Sequence, residues 1–282
     1  MKTFKVDLYE HFGLSRPQGG KGYLTAYVHD PNPEVNAARK KPAILVLPGG
    51  GYQMCSLREA EALAMPFFAK GMDAFVLDYS CAPVRYPYAL LEAVASMAYI
   101  RENAGTFSIN PNAVSAIGAS AGGHLCATLG SYWDSPEVFA LFRPSVNVRP
   151  DAIVLCYPVV TRTVPTHGGS FDALCGGDEK LKERLDVLNL VSERSAPAFI
   201  WATNDDGAVP ARNSYLLAAK YYEKRVDCSI HVWGKGWHGL SVADLTVYPS
   251  GSDVFESSSK SVSRWFELCI EWLAEQKVYI QD

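Results

Sequence analysis

The sequence predicts an α/β fold in which a mostly parallel central sheet carries helices on both faces. Three observations predict it. From residue 43 onward, short apolar runs alternate with segments of helical period, as expected of repeated β-α units. The runs are continuous rather than alternating, which suits strands covered on both faces. Between the run 113–117 and the helix-like stretch 123–129 stands Gly118-Ala119-Ser120-Ala121-Gly122, a serine flanked by glycines where a strand turns sharply into a helix.

Each element can be justified in order. Segments 4–9 and 22–29 read as β-strands that extend one edge of the sheet. The run 43–47 is a buried strand that stops at Pro48-Gly49-Gly50-Gly51. Residues 58–70 read as a helix closed by Gly71, and 74–79 as the next strand. A loop punctuated by Pro83 and Pro87 leads into a helix over 88–103. The strand 113–117, the serine turn and its helix follow. Segments 152–157, 198–202 and 228–233 are further strands, with a helix over 210–224 between the last two. Val262, Trp265, Phe266, Cys269, Ile270 and Leu273 repeat at three and four residues, so the chain closes with an amphipathic helix. Two stretches break the alternation. Residues 134–150 show no clear period. Residues 158–197 form an insertion, expected to make a small cap on the C-terminal side of the sheet, as a lid or substrate wall.

Composition narrows the function. The chain has 282 residues, 48% of them hydrophobic, enough for a substantial core, and reads as one domain over 1–282. A formal net charge of −4 with scattered Lys and Arg leaves no footprint for nucleic acid. No stretch approaches the roughly 20 apolar residues of a membrane span, and no signal-like apolar segment follows Met1, so a cytoplasmic protein is expected. The seven cysteines form no CxxC pair and read as small buried hydrophobes in a reducing compartment.

Nucleophilic serine chemistry needs a base, a carboxylate that orients the base, and donors for the oxyanion. All three follow strands, in a workable order. Ser120 is the nucleophile. After the strand 198–202, Asp205 and Asp206 compete for the acid, with Asp206 preferred. After the last strand, His238 sits in a Gly-rich loop and is the base. His124, one helical turn beyond Ser120, is expected to be a packed, hydrogen-bonded histidine. The loop after the first central strand offers the amides of Gly50 and Gly51, to be joined by that of Ala121, as oxyanion donors. Tyr52 and the cap residue His167 are substrate-side candidates, and Tyr86, Tyr88 and Trp237 offer further aromatic surface. No metal or organic cofactor is called for, and the expected partner is a small ester.

These motifs resemble the α/β-hydrolase superfamily, and within it the Gly-Gly-Gly-loop esterases. Asp78-Tyr79-Ser80-Cys81-Ala82-Pro83 is similar to a segment of the hormone-sensitive-lipase-like branch. A closer likeness is to the bacterial acetyl xylan esterases and sugar-ester hydrolases. It is carried by Leu47-Pro48-Gly49-Gly50-Gly51-Tyr52, by the Ser120 turn with Gly123-His124-Leu125, and by His167-Gly168-Gly169-Ser170-Phe171. Asp205-Asp206-Gly207-Ala208-Val209-Pro210 and His238-Gly239-Leu240-Ser241 complete it. The resemblance implies a serine esterase for short acyl groups, acetyl above all, on sugars or xylan fragments. Its Asp-x-x-Val pattern selects Asp206. It also marks a departure: Pro48 stands where many relatives carry a histidine that braces the glycine loop. A prolyl-oligopeptidase-like peptidase, a lipase and a non-catalytic binding module are the alternatives.

Overall fold

The computed structural model describes residues 1–30, 32, 34, 39–164, 169–247 and 258–279. Eight strands form one sheet: β1 (Lys2–Asp7), β2 (Tyr23–Val28), β3 (Lys41–Leu47), β4 (Asp73–Asp78), β5 (Ile109–Ala119), β6 (Ile153–Cys156), β7 (Ala198–Thr203) and β8 (Cys228–Trp233). Their spatial order is β1-β2-β4-β3-β5-β6-β7-β8. The pairs β1·β2 and β2·β4 are antiparallel, and every pair from β4·β3 to β7·β8 is parallel. The two N-terminal strands therefore extend one edge, as the sequence predicts. The first ends earlier than expected, because Asp7 turns the chain into the helix Leu8–Phe12 by accepting the N–H groups of Tyr9 and Glu10.

Alternate residues of the central strands feed two cores. Leu45, Leu47, Ala116, Leu155 and Ile200 pack with the helices Tyr88–Glu102, Ala121–Tyr132 and Arg212–Glu223. Ile44, Val46, Ile117, Val154, Phe199 and Trp201 pack on the opposite face with the helices Glu61–Ala69 and Trp265–Glu275. Both faces are thus covered, which is why these strands read as continuous apolar runs. The stretch 134–150 contains a helix, Pro136–Leu141, that apolar period could not show. Its signal is a cap: Ser135 accepts the Val138 N–H, and Pro136 occupies the first turn. Among the described residues between β6 and β7 are three short helices, Gly169–Cys175, Glu179–Arg184 and Val187–Leu190. Of the seven cysteines, five are buried, and all are free thiols.

The parallel strands β3, β5, β7 and β8 all deliver their following loops to the same edge of the sheet, where sites of open α/β sheets form. The N-terminal segment is fastened to this framework by a buried carboxylate. Glu92, on the helix Tyr88–Glu102, accepts the Tyr9 O–H at 2.7 Å, the Ser80 N–H at 2.6 Å and the Ser80 O–H. Burial outweighs these hydrogen bonds and pushes the Glu92 carboxyl up to about 7. An acid whose pKa is raised by folding keeps its full stabilisation below the unfolded value near 4.5 and loses it as pH climbs through about 7. Denaturant unfolding of the wild type and of Glu92→Gln between pH 4.5 and 8 should therefore differ in slope. The wild type is expected to lose up to about 3 kcal/mol more than the variant across that window, and parallel profiles would contradict this account.

Candidate active site

Ser120 occupies the turn between β5 and the helix Ala121–Tyr132, with φ 53° and ψ −119°. This backbone conformation is strained for a residue with a Cβ and must be held by its surroundings. Three hydrogen bonds hold it. The Ser120 N–H donates to the Cys156 carbonyl at 3.0 Å, while the Ser120 carbonyl accepts the N–H groups of Val159 at 3.0 Å and His124 at 3.1 Å. The flanking glycines are required by close approach. A Cβ on Gly118 would stand 2.1 Å from the Gly122 carbonyl oxygen, and one on Gly122 2.1 Å from that of Leu47.

His238 follows β8, and its Nε2 lies 2.8 Å from Ser120 Oγ. Its Nδ1 lies 2.7 Å from Asp206 Oδ2. A carboxylate only accepts, so Nδ1 carries the proton and Nε2 presents its lone pair to the serine hydroxyl. The His238 ring stands edge-on to Tyr157, with centroids 5.1 Å apart. Its loop is tied to β7, where the Thr203 hydroxyl donates to the Gly236 carbonyl at 2.9 Å.

The structure separates the two aspartates. Asp206 is buried, and its Oδ1 accepts the N–H groups of Ala208 at 2.9 Å and Val209 at 2.8 Å, which aims Oδ2 at the histidine. Asp205 faces solvent and pairs with Lys235 at 3.0 Å. The spacing Asp-x-x-Val thus describes a carboxylate gripped by its own turn.

The glycine loop lies beside Ser120. Gly50, Gly51, Gln53, Met54, Ser56, Arg58, Glu59, Ser120, Ala208, His238 and Gly239 line a cleft of about 600 Å³. The Gly49 N–H is occupied, donating to Glu59 Oε2 at 3.0 Å. Among the described residues, the N–H groups of Gly50, Gly51 and Ala121 have no acceptor within the protein. That of Ala121 belongs to the first turn of its helix, where no intrahelical carbonyl is in reach.

The loop is braced without the histidine that Pro48 replaces. The Tyr79 hydroxyl donates to the Pro48 carbonyl at 2.6 Å, and the Ala82 N–H to the Tyr52 carbonyl at 2.8 Å. Tyr52, expected on the substrate side, is 2% exposed and does not line the cleft. Its ring packs against Tyr79 and His124, and its hydroxyl meets His124 Nδ1 at 2.9 Å. His124 is the packed histidine that the sequence suggested. Its Nε2–H donates to the Leu185 carbonyl at 2.9 Å, and burial pushes its pKa down to about 4. It joins the glycine loop to the insertion between β6 and β7. His167 lies outside the described residues.

Glu59 was not anticipated. It is 3% exposed, and besides Gly49 it accepts the Tyr157 O–H at 2.7 Å. The Tyr157 oxygen in turn accepts the Ser241 N–H at 2.8 Å. Glu59 sits in a surface-like sequence, Leu57-Arg58-Glu59-Ala60-Glu61, with nothing to distinguish it from its charged neighbours. Among the described residues, no group of three or more His, Cys, Asp or Glu side chains is arranged to hold a metal ion. No helix there is long and apolar enough to cross a membrane.

Comparison with known proteins adds to this geometry. The family model described as BD-FAE matches residues 32–221. Endo-1,4-beta-xylanase B of Butyrivibrio fibrisolvens is 36% identical over 254 residues, covering 86% of this chain and 39% of that protein. An acetylxylan esterase of Xylanibacter ruminicola is 28% identical over 246 residues, covering 84% of this chain and 48% of that protein. The chain therefore spans less than half the length of these two relatives. Among solved structures, an acetyl ester-xyloside bifunctional hydrolase from Caldicellulosiruptor lactoaceticus superposes with a TM-score of 0.81 at 30% identity, covering 98% of this chain and 97% of that one. A carboxylesterase from Lactobacillus plantarum superposes with a TM-score of 0.85 at 27% identity, over the full length of both.

The crossing at the serine turn yields a direct test. Gly122→Ala would drive a methyl group into the Leu47 and Pro48 carbonyls at 2.1 and 2.4 Å, both backbone atoms that cannot swing aside. The variant is expected to lose more than about 2 kcal/mol of stability by urea unfolding. A wild-type midpoint would show that the turn is looser than described.

Proposed function

Since the chain belongs to the BD-FAE family and carries the α/β-hydrolase fold, we propose that it is a serine esterase releasing short acyl groups, chiefly acetyl, from acetylated sugars such as xylan fragments. One observation carries this reading. A continuous line of hydrogen bonds runs from Ser120 Oγ through His238 to Asp206, beside three backbone amides without acceptors among the described residues.

In this reading Ser120 Oγ attacks the ester carbonyl carbon while its proton passes to His238 Nε2. The carbonyl oxygen becomes an oxyanion, held by the N–H groups of Gly50, Gly51 and Ala121. Collapse of the tetrahedral species breaks the bond to the alcohol, which leaves with the proton from Nε2. Water then repeats the sequence on the acyl-enzyme: it gives a proton to Nε2 and attacks the carbonyl, and as the bond to Ser120 Oγ breaks Nε2 returns the proton to Oγ and the acid departs. Asp206 keeps the Nδ1 proton in place and stabilises the imidazolium.

The cleft supports a small ester with a polyhydroxy alcohol. Its lining offers Gln53, Ser56 and Arg58 as hydrogen-bonding side chains and Met54 as an apolar surface. The names of the relatives above point the same way, towards acetyl groups and xylose polymers. The whole chain is read as one domain, with the segment 158–197 as its cap. Two bonds to the rest of the protein argue for a fixed buttress: His124 to the Leu185 carbonyl, and the Tyr86 N–H to the Leu174 carbonyl at 3.0 Å. Among the described residues, none of that segment lines the cleft at Ser120.

The test compares hydrolysis of p-nitrophenyl acetate and acetate release from acetylated xylo-oligosaccharides by wild type and variants. Ser120→Ala should abolish both. Asp206→Asn should cost on the order of 10⁴ in kcat, whereas Asp205→Ala should stay close to wild type. Equal rates in wild type and Ser120→Ala would overturn the reading. Better turnover of long-chain acyl esters or peptides would move the substrate to the lipase or peptidase class.

A further inference from the structure

Building on the esterase reading, we propose that Glu59 is a positioning residue that sets the oxyanion loop and the histidine loop together through one carboxylate. Glu59 Oε2 accepts the Gly49 N–H at 3.0 Å, and Oε1 accepts the Tyr157 O–H at 2.7 Å. Tyr157 carries the link on to the histidine side. Its ring packs edge-on against His238, and its oxygen accepts the Ser241 N–H at 2.8 Å. The Ser241 hydroxyl returns to the starting point, donating to the Arg58 carbonyl at 2.9 Å. A closed circuit therefore runs from the residue before the Gly50 and Gly51 donors, through Glu59 and Tyr157, to the segment after His238.

The carboxylate has a second consequence for the glycine loop. Successive amides can turn inward only if the peptide plane before them is fixed. By taking the Gly49 N–H, Glu59 withdraws that amide from the oxyanion site and fixes the Pro48–Gly49 plane, while the Ser56 N–H donates to the Gly49 carbonyl at 2.9 Å and holds the next plane, which carries the Gly50 N–H. Gly50 is then held from the other side, because its carbonyl accepts the N–H groups of Gln53 at 3.0 Å and Met54 at 3.2 Å. The space is also exact in size: a Cβ on Gly49 would lie 2.3 Å from Glu59 Oε2. Glu59 lines the same cleft as Ser120 although it is only 3% exposed.

Two acceptors on one side chain are what the circuit needs. Glutamine at 59 keeps the shape but offers a single acceptor, and its NH2 group faces one of the two donors. Alanine leaves a space beside the cleft that a small carboxylate can enter. Tyrosine 157 can be tested separately, because Tyr157→Phe keeps the ring on His238 and removes only the hydroxyl link.

The experiment follows kcat and KM for p-nitrophenyl acetate, together with inhibition by phenylboronic acid, which forms a tetrahedral adduct on the serine. Wild type, Ser120→Ala, Glu59→Gln, Glu59→Ala, Tyr157→Phe and the Glu59→Gln/Tyr157→Phe pair are compared. Glu59→Gln should leave KM near wild type while kcat falls about ten- to a hundredfold, with boronate affinity weakening in step with kcat/KM. The paired variant should lose less than the product of its single effects. Added formate should raise the kcat of Glu59→Ala and leave Ser120→Ala inactive. If wild type is active and Ser120-dependent, but Glu59→Gln keeps its kcat and its boronate affinity, the positioning role is overturned and the esterase reading stands. Loss of stability in Glu59→Ala without rescue of kcat by formate would also overturn it, leaving Glu59 as a core fastener. A wild type without Ser120-dependent turnover removes the esterase reading and this proposal with it.

Discussion

The backbone of Ser120 is the constraint on which the rest of the site depends. A residue with a Cβ held at φ 53° and ψ −119° costs on the order of 1–3 kcal/mol. The cost is offset by the neighbouring strand end, which grips the turn from both sides. Cys156 accepts its N–H and Val159 donates to its carbonyl. That grip explains why β6 must end beside β5, and why Pro158 follows so closely that Gly123 cannot carry a side chain: a Cβ there would meet the Pro158 Cβ at 2.8 Å. The turn raises Oγ above the sheet edge, and the other functional loops are placed relative to it. Sheet order does the remaining work. With β3 on one side of β5 and β6, β7 and β8 on the other, the glycine loop reaches Ser120 from one flank and Asp206 and His238 from the opposite flank.

A loop of three consecutive glycines has no side chains with which to hold itself, so its anchors must come from elsewhere. Here they come from four directions. Tyr79 reaches Pro48, Glu59 reaches Gly49, Ala82 reaches the Tyr52 carbonyl, and His124 reaches the Tyr52 hydroxyl. Buried polar groups of this kind contribute modestly when paired and cost about 1–3 kcal/mol when orphaned. The arrangement is therefore stable against small movements of any one anchor but intolerant of deleting one. It also gives the insertion between β6 and β7 a role away from the cleft, since Leu185 supplies the carbonyl that fixes the far side of His124.

What the sequence made legible was local. Ser120 and His238 announce themselves through short motifs that encode a backbone shape, and the edge position of the first two strands follows from their order in the chain. Asp206 is preferred over Asp205 on the Asp-x-x-Val pattern of the resembled esterases, and the structure supplies a physical form for that spacing, a turn in which one carboxylate oxygen binds the following amides. Misreadings arose where burial decides the role. Tyr52 follows the glycines as a substrate-facing aromatic would, yet its hydroxyl finds a partner 72 positions away and the ring goes into the core. Glu59 could not be singled out at all. Its defining contact is with Tyr157, 98 positions away, and no local spacing encodes that pairing. The helix Pro136–Leu141 was hidden for a different reason, being too short to show a period and marked only by its Ser-Pro start.

The two histidines nearest the serine show how surroundings decide chemistry. His124 follows Ser120 by one helical turn, but both its ring nitrogens are taken, one by a phenol and one by a carbonyl. Burial holds its pKa near 4, so protonating it at neutral pH would place an unpaired charge in the core. Such a ring is a strut. His238 is only partly buried, and behind its Nδ1 stands a carboxylate whose other oxygen is fixed by two amides. Under the proposed mechanism, the charge that appears on the ring is met by a counter-charge already in place, at no cost of reorganisation. The two histidines are therefore distinguished by what lies on their far sides, a carboxylate behind His238 and a carbonyl behind His124. In this protein that difference is set by one turn after β7.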